Sequence, residues 1–184
     1  PEAMVFGERA GRMAAQDVAG TGHGWADAAA APVLALLEQV AQRADRTPKG
    51  EVAETATMWR DLQALMWDKV GLLRTEAGLT EALAAIRAMA ARLPDMTLAP
   101  GRAFNSVVEE WFELRGALQC AEAVALGALN RRESRGAHQR LDHPDTAPAF
   151  EKNQVLTLQD GRIRSDWVPL TRLAQARFEK EEAA

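Results

Sequence analysis

A single cysteine, Cys120, in a chain of 184 residues excludes an internal disulfide framework and fits a reducing compartment. No apolar run approaches the ~20 residues needed to span a bilayer, so direct membrane insertion is not expected. The N-terminus lacks the succession of basic start, apolar run and small-residue cleavage site of a secretory leader, and a cytoplasmic chain is expected. Positive charge is not in excess either. There are 22 Lys and Arg against 26 Asp and Glu, a net charge of -4, which argues against nucleic-acid binding. What the chain does have is apolar material, 47% of its residues, enough for one domain with a real core.

Pro1 opens the chain inside PEAMVFGERAGRMAAQ, a segment that is amphipathic from its start and has no N-cap before it. The expectation is a piece of a larger protein, with this first helix belonging to a preceding domain. The helix is predicted over Glu2 to Val18, and Gly7 and Gly11, four apart, suit a close approach to another backbone. GTGHG (Gly20 to Gly24) ends it, because glycines make a helix costly. A second helix is predicted over Ala28 to Arg43, with Pro32 in its first turn and Val33, Leu34, Leu37 and Val40 inward. Thr47, Pro48 and Glu51 then form a helix start signal.

Three longer amphipathic segments follow. From Glu51 to Leu73, Met58, Leu62, Leu65, Met66, Val70 and Leu73 recur at helical spacing, with Trp59 and Trp67 beside them. Gly78 is expected to interrupt. A second stripe joins Leu79, Leu83, Ile86, Ala90 and Leu93 and closes at Pro94. The longest helix is predicted over Phe104 to Arg132, burying Phe104, Val108, Trp111, Leu114, Leu118, Ala121, Ala125 and Ala128, with Cys120 a small core residue. Together they predict a mainly α chain whose residues 51–145 form an antiparallel three-helix bundle of the spectrin-repeat kind. After Pro144 the period changes. QVLTLQDGRIRSDWV alternates on both sides of Asp160-Gly161, a hairpin signal, and such a hairpin needs the bundle or a partner beneath it. Residues 146–184 thus read as hairpin and tail, the last part charged and helical or frayed.

RRESRGAHQRLDHP (Arg131 to Pro144) concentrates charge at the exit of the longest helix. His138, Asp142 and His143 are ligand types at short spacing, but structural zinc wants four ligands and usually cysteine pairs, so no metal site is expected. Ser134, His138 and Asp142 carry the names of a triad without a nucleophile elbow, and triads are recognised by geometry rather than order. The favoured reading is structural. Arginines near a helix C-terminus meet its negative dipole end, Gly136 permits a sharp turn, and Arg135 and Arg140 suit bidentate pairing with carboxylates of a neighbouring domain. The docking set is Arg132, Glu133, Ser134, Arg135, His138, Arg140 and Asp142.

The same stretch closely resembles the signature after the last bundle helix in flavoprotein subunits of the succinate dehydrogenase and fumarate reductase family. MVFGERAG (Met4 to Gly11) resembles the helix that closes their FAD-binding domain. MWDKVGLLRTEAGLTEAL (Met66 to Leu83) is similar to the first-to-second helix passage of their C-terminal domain and of the related L-aspartate oxidases. FNSVVEEWFELRGALQCAEAVALGAL (Phe104 to Leu129) resembles the third helix. The resemblance implies a C-terminal domain of an oxidoreductase in which FAD exchanges a hydride with a four-carbon dicarboxylate. It assigns residues 1–19 to the end of the FAD domain and 20–50 to a connecting helix and linker. The helix beginning at Glu2 would point its positive end at the flavin. The catalytic and cofactor-binding residues of the family lie upstream of Pro1, so none is assigned here, and the fragment alone is expected to be inactive and without FAD. Expected partners are the upstream FAD-binding and capping domains and an iron–sulfur subunit, through which the chain would associate with a membrane. The branch stays open: respiratory subunit, aspartate oxidase or soluble reductase relative. So does a different class, a stand-alone helical interaction module.

Overall fold

The structure is a computed structural model and describes residues 2–20, 27–44, 54–96, 98 and 105–170. It is mainly helical, with a small antiparallel hairpin near the C-terminus. Contacts divide the chain into two units, residues 1–43 and 44–184.

The first unit holds α1 (Glu2–Gly20) and α2 (Asp27–Ala44). Both are where periodicity placed them, but their apolar faces are not buried as expected. Val33, Leu34 and Leu37 are exposed and only Val40 is buried, which corrects the inward assignment. Met4, Phe6, Met13 and Val18 of α1 are exposed too, and a Cβ built on Gly7 or Gly11 meets nothing within 4 Å. An amphipathic stripe shows that a helix wants cover; it does not say which segment supplies it.

The second unit carries the core. Its helices are α3 (Glu54–Val70), α4 (Glu76–Arg92) and α5 (Ser106–Asn130), and each contacts the other two. Met58, Leu62 and Val70 of α3 are buried with Leu79, Leu83 and Ile86 of α4 and Trp111, Leu114, Leu118 and Ala125 of α5. Polar groups inside this contact are paired. Thr55 Oγ1 donates to Glu110 Oε2 (3.0 Å), and Trp111 Nε1 donates to the Leu93 carbonyl (3.0 Å). At the surface, Arg87 Nε meets Glu122 Oε1 at 2.8 Å, linking α4 to α5.

The structure corrects four expectations. Gly78 does not interrupt. It lies in the first turn of α4, where Thr75, the N-cap, accepts the Gly78 N–H at 3.1 Å. The break falls instead at residues 71–75, where a capping hydroxyl satisfies a donor that the helix cannot. Leu73 is exposed because the chain has left the helix by then and entered a two-residue strand, β1 (Leu73–Arg74). Cys120 is exposed on α5, not in the core, since the inward positions of that turn are Leu118 and Ala121. Asn105 caps α5, accepting the Val108 N–H at 3.2 Å, so the helix starts two residues later than the apolar pattern suggested. The expected start signal at Thr47, the inward Phe104 and the tail beyond Leu170 lie outside the described residues.

β1 pairs in parallel with β2 (Gln139–Arg140), in the register Leu73 to Gln139 and Arg74 to Arg140. β3 (Lys152–Gln159) and β4 (Arg162–Pro169) form the hairpin, turning at Asp160 (φ 50°) and Gly161 (φ 73°). Two successive positive φ values match the right-handed strand twist, which is why Asp-Gly suits this position. The half-buried face of the hairpin is Gln154 and Leu156 with Ile163, Ser165 and Trp167. This face lies on α5. A Cβ on Gly127 would come within 3.5 Å of Leu156, so a small residue there lets the strand close on the helix.

Candidate functional site

Three helix ends meet at the charged stretch, and each end leaves backbone groups that no intrahelical partner can satisfy. Arg140, fully buried, supplies the end of α5. Its Nη1 donates to the carbonyls of Ala128 (3.0 Å), Leu129 (3.2 Å) and Arg131 (3.4 Å). Its Nε and Nη2 each donate to one oxygen of Asp142 at 2.8 Å, a bidentate pair. Asp142 Oδ2 also accepts the Glu76 backbone N–H (2.7 Å), which places a carboxylate at the positive end of α4. The Arg140 guanidinium and then that backbone N–H hold the Asp142 carboxyl far below its ordinary range. Arg74 does for α3 what Arg140 does for α5. Its Nε donates to the carbonyls of Val70 (3.0 Å) and Gly71 (2.8 Å). In this way charge complements the dipole at all three ends.

Glu133 is a second centre, its side chain wholly enclosed. It accepts from Arg131 Nη1 (2.6 Å), Arg135 Nε (2.9 Å), Arg135 Nη2 (3.1 Å) and the Ala147 N–H (2.8 Å). Arg135 above all draws its pKa down to about 2, against the opposing effect of burial. Arg131 then reaches the hairpin. It donates to the carbonyls of Phe150 and Lys152 (both 2.9 Å), and its guanidinium lies 4.9 Å from the Trp167 ring centre.

Local turns hold these groups in place. Gly136 has φ 57°, and Arg135 and His138 exchange backbone hydrogen bonds around it (2.8 and 3.0 Å). Ser134 Oγ accepts the Arg140 N–H (2.9 Å) and donates to the His143 carbonyl (2.8 Å). His138 Nε2 lies 3.0 Å from the Arg131 carbonyl and Nδ1 lies 2.8 Å from Arg74 Nη1. A carbonyl only accepts and a guanidinium only donates, so the ring is the neutral Nε2–H tautomer.

Of the residues assigned to docking, Glu133, Ser134 and Arg140 are buried, His138 is half-buried, and Arg132, Arg135 and Asp142 are exposed. The carboxylate partners of Arg135 and Arg140 in the structure are Glu133 and Asp142 of the same chain. Ser134, His138 and Asp142 do not form a relay; each bonds to other groups. His138 commits both ring nitrogens. Ligand atoms of Glu76, Asp142 and His143 lie within 4.8 Å of one another, yet both Asp142 oxygens already face the Arg140 guanidinium. The sequence reading missed Arg74, Arg131 and Glu76. An arginine just beyond a helical stripe, as in GLLRTE, is the signal that could have found Arg74. Beside the corner, Glu76, Thr80, Asn130, Arg132, Phe150 and Trp167 line an open groove of about 370 Å³.

A family model described as "Fumarate reductase flavoprotein C-term" matches residues 59–181. The fumarate reductase flavoprotein subunit of Mycobacterium tuberculosis is 33% identical over 178 residues, which are 93% of this chain and 30% of that protein. The L-aspartate oxidase of Yersinia pestis is 39% identical over 87 residues, 47% of this chain and 15% of that protein. Among solved structures, the Mycobacterium smegmatis Sdh1 complex in the apo form superposes with a TM-score of 0.74 at 32% identity. That match covers 92% of this chain and 29% of the other. This chain therefore spans about a third or less of the length of these relatives.

Proposed function

Because this chain belongs to the family of fumarate reductase flavoprotein C-terminal domains, we propose that it is the helical C-terminal part of an FAD-dependent oxidoreductase. The proposed reaction is hydride exchange between flavin and a four-carbon dicarboxylate. The observation that carries this reading is the family match across residues 59–181, which takes in most of α3, all of α4 and α5, the charged corner and the hairpin. In the reading, residues 51–145 form an antiparallel three-helix bundle, 1–19 close an FAD-binding domain, 20–50 connect the two, and 146–184 are hairpin and tail. The bundle braces the FAD and capping domains. An iron–sulfur subunit is a further proposed partner, and through it a membrane, since no helix among the described residues is long and apolar enough to cross one. The chemistry of hydride transfer belongs to the flavin. No residue of this chain is assigned a catalytic role, and the chain alone is proposed to be inactive and without FAD.

The test uses the parent protein. Purified from its whole reading frame, it is expected to carry stoichiometric flavin and to interconvert succinate and fumarate with an artificial electron carrier. The 184-residue chain alone is expected to do neither. A parent protein without flavin would refute the reading.

The docking role of the corner is proposed in two parts. Glu133, Ser134, His138, Arg140 and Asp142 set its shape from within, and Arg132 and Arg135 meet the neighbouring domain. Arg132→Ala in the parent protein is expected to lower flavin retention while leaving the melting of the isolated chain unchanged. Arg135→Ala is expected to lower both, because Arg135 also braces Glu133. Unchanged flavin content in both variants would count against docking.

A further inference from the structure

We propose that His138 is an acid-released pin between the end of α3 and the end of α5. It stands apart from the flavin reading and rests on geometry within this chain. One ring nitrogen holds Arg74, whose other bonds close α3; the opposite nitrogen holds the Arg131 carbonyl just past α5. The ring bridges two helix ends only while Nδ1 keeps a lone pair. A proton taken up from solvent at Nδ1 turns that acceptor into a donor, 2.8 Å from a group that can only donate. The bond becomes a repulsive contact, while the Nε2–H bond to Arg131 survives. Arg74 keeps its bonds to Val70 and Gly71, so the release loosens α3 from α5 at this corner without unwinding α3.

The surroundings oppose the proton. The charges acting on the ring are those of Arg74 of β1, Arg140 of β2 and Arg131 at the end of α5, all positive. Burial, the largest effect, and these guanidiniums hold the imidazole below its ordinary 6.5, partly offset by the bond to the Arg131 carbonyl. The unfolded chain therefore binds this proton at higher pH than the folded chain does. Stability from the neutral pin is fully present above 6.5 and is lost as pH falls through the lower folded value. The loss sets in at 6.5, above the 4.5 at which the contribution of Glu133 begins to fade.

The measurement is thermal melting of the 184-residue chain from pH 8 to pH 5 beside His138→Gln. Glutamine offers one donor and one acceptor and does not titrate. The native chain is expected to lose several degrees more than the variant between pH 7 and 5. Parallel curves would overturn the proposal. If His138→Gln does not fold, the imidazole ¹⁵N signals of the native chain decide. At pH 8 they should show a protonated Nε2 and a bare Nδ1, and the titration midpoint should lie below 6.5 and move the Arg74 side-chain N–H signal with it. The opposite tautomer, an ordinary midpoint, or an Arg74 signal that ignores the titration would each refute the pin.

Discussion

Arg140→Met is expected to lower the unfolding free energy of this chain by about 3–5 kcal/mol, read as a fall in the urea midpoint at constant slope. The size follows from what the substitution leaves behind. Arg140 is wholly enclosed and satisfies three carbonyls at the end of α5 while pairing both oxygens of Asp142. Methionine fills the volume and restores none of these bonds. Asp142 keeps its negative charge and loses its guanidinium partner, and the Ala128 and Leu129 carbonyls lose their donor. Domains of this size are stable by roughly 5–15 kcal/mol, so this one change threatens the fold. The pair can be separated from the cap by a double substitution. Arg140→Met with Asp142→Asn is expected to recover part of the loss, because the unpaired charge is gone while the amide oxygen still caps α4. If Arg140→Met costs under about 1 kcal/mol, the corner is not held by this guanidinium.

Glu133→Gln is the second large effect, at about 3 kcal/mol, near the upper end for buried hydrogen bonds to charged groups. An amide accepts at one oxygen only and turns two donors toward guanidiniums that have none to accept them. Acid should act on the native chain in the same way. The folded pKa of Glu133, about 2, lies below the ordinary 4.5, so its contribution is present above 4.5 and fades as pH falls toward 2. Far-ultraviolet circular dichroism against pH, with urea held just below the midpoint, should show the native chain losing structure in that window. Glu133→Gln should already be weakened above it and should show a shallower slope within it. Equal slopes would mean that Glu133 is not the group whose protonation matters.

The core helices are legible in the amino-acid sequence because their apolar residues repeat at the period of a helix that buries one face. Met58, Leu62, Leu79, Leu83, Ile86, Trp111, Leu114 and Leu118 all fall where that rule puts them. The hairpin is legible for a different local reason, since Asp160-Gly161 accepts two positive φ values between alternating strands. Periodicity misleads where the answer is not local. Gly78 reads as a breaker until Thr75 and Asp142 cap the helix that contains it, and Asp142 is 66 residues from the N–H it accepts. Cys120 sits in an apolar run, but one helical turn carries it to the outside. Val33, Leu34 and Leu37 form a proper stripe and remain exposed.

The charged corner divides along the same line. That Arg131 to Pro144 is a specific element, placed to meet a helix end, follows from composition and position, because arginines and a turn glycine beside a C-terminus have few other uses. Which arginine meets which acid is not written along the chain. Arg140 and Arg135 each found a carboxylate two residues away, while Arg74 came from the other side of α4 to meet His138. The period of a side-chain pattern is a property of the backbone and is written in the sequence. The pairing of buried charges depends on which helix ends arrive together, and only the packed chain decides that.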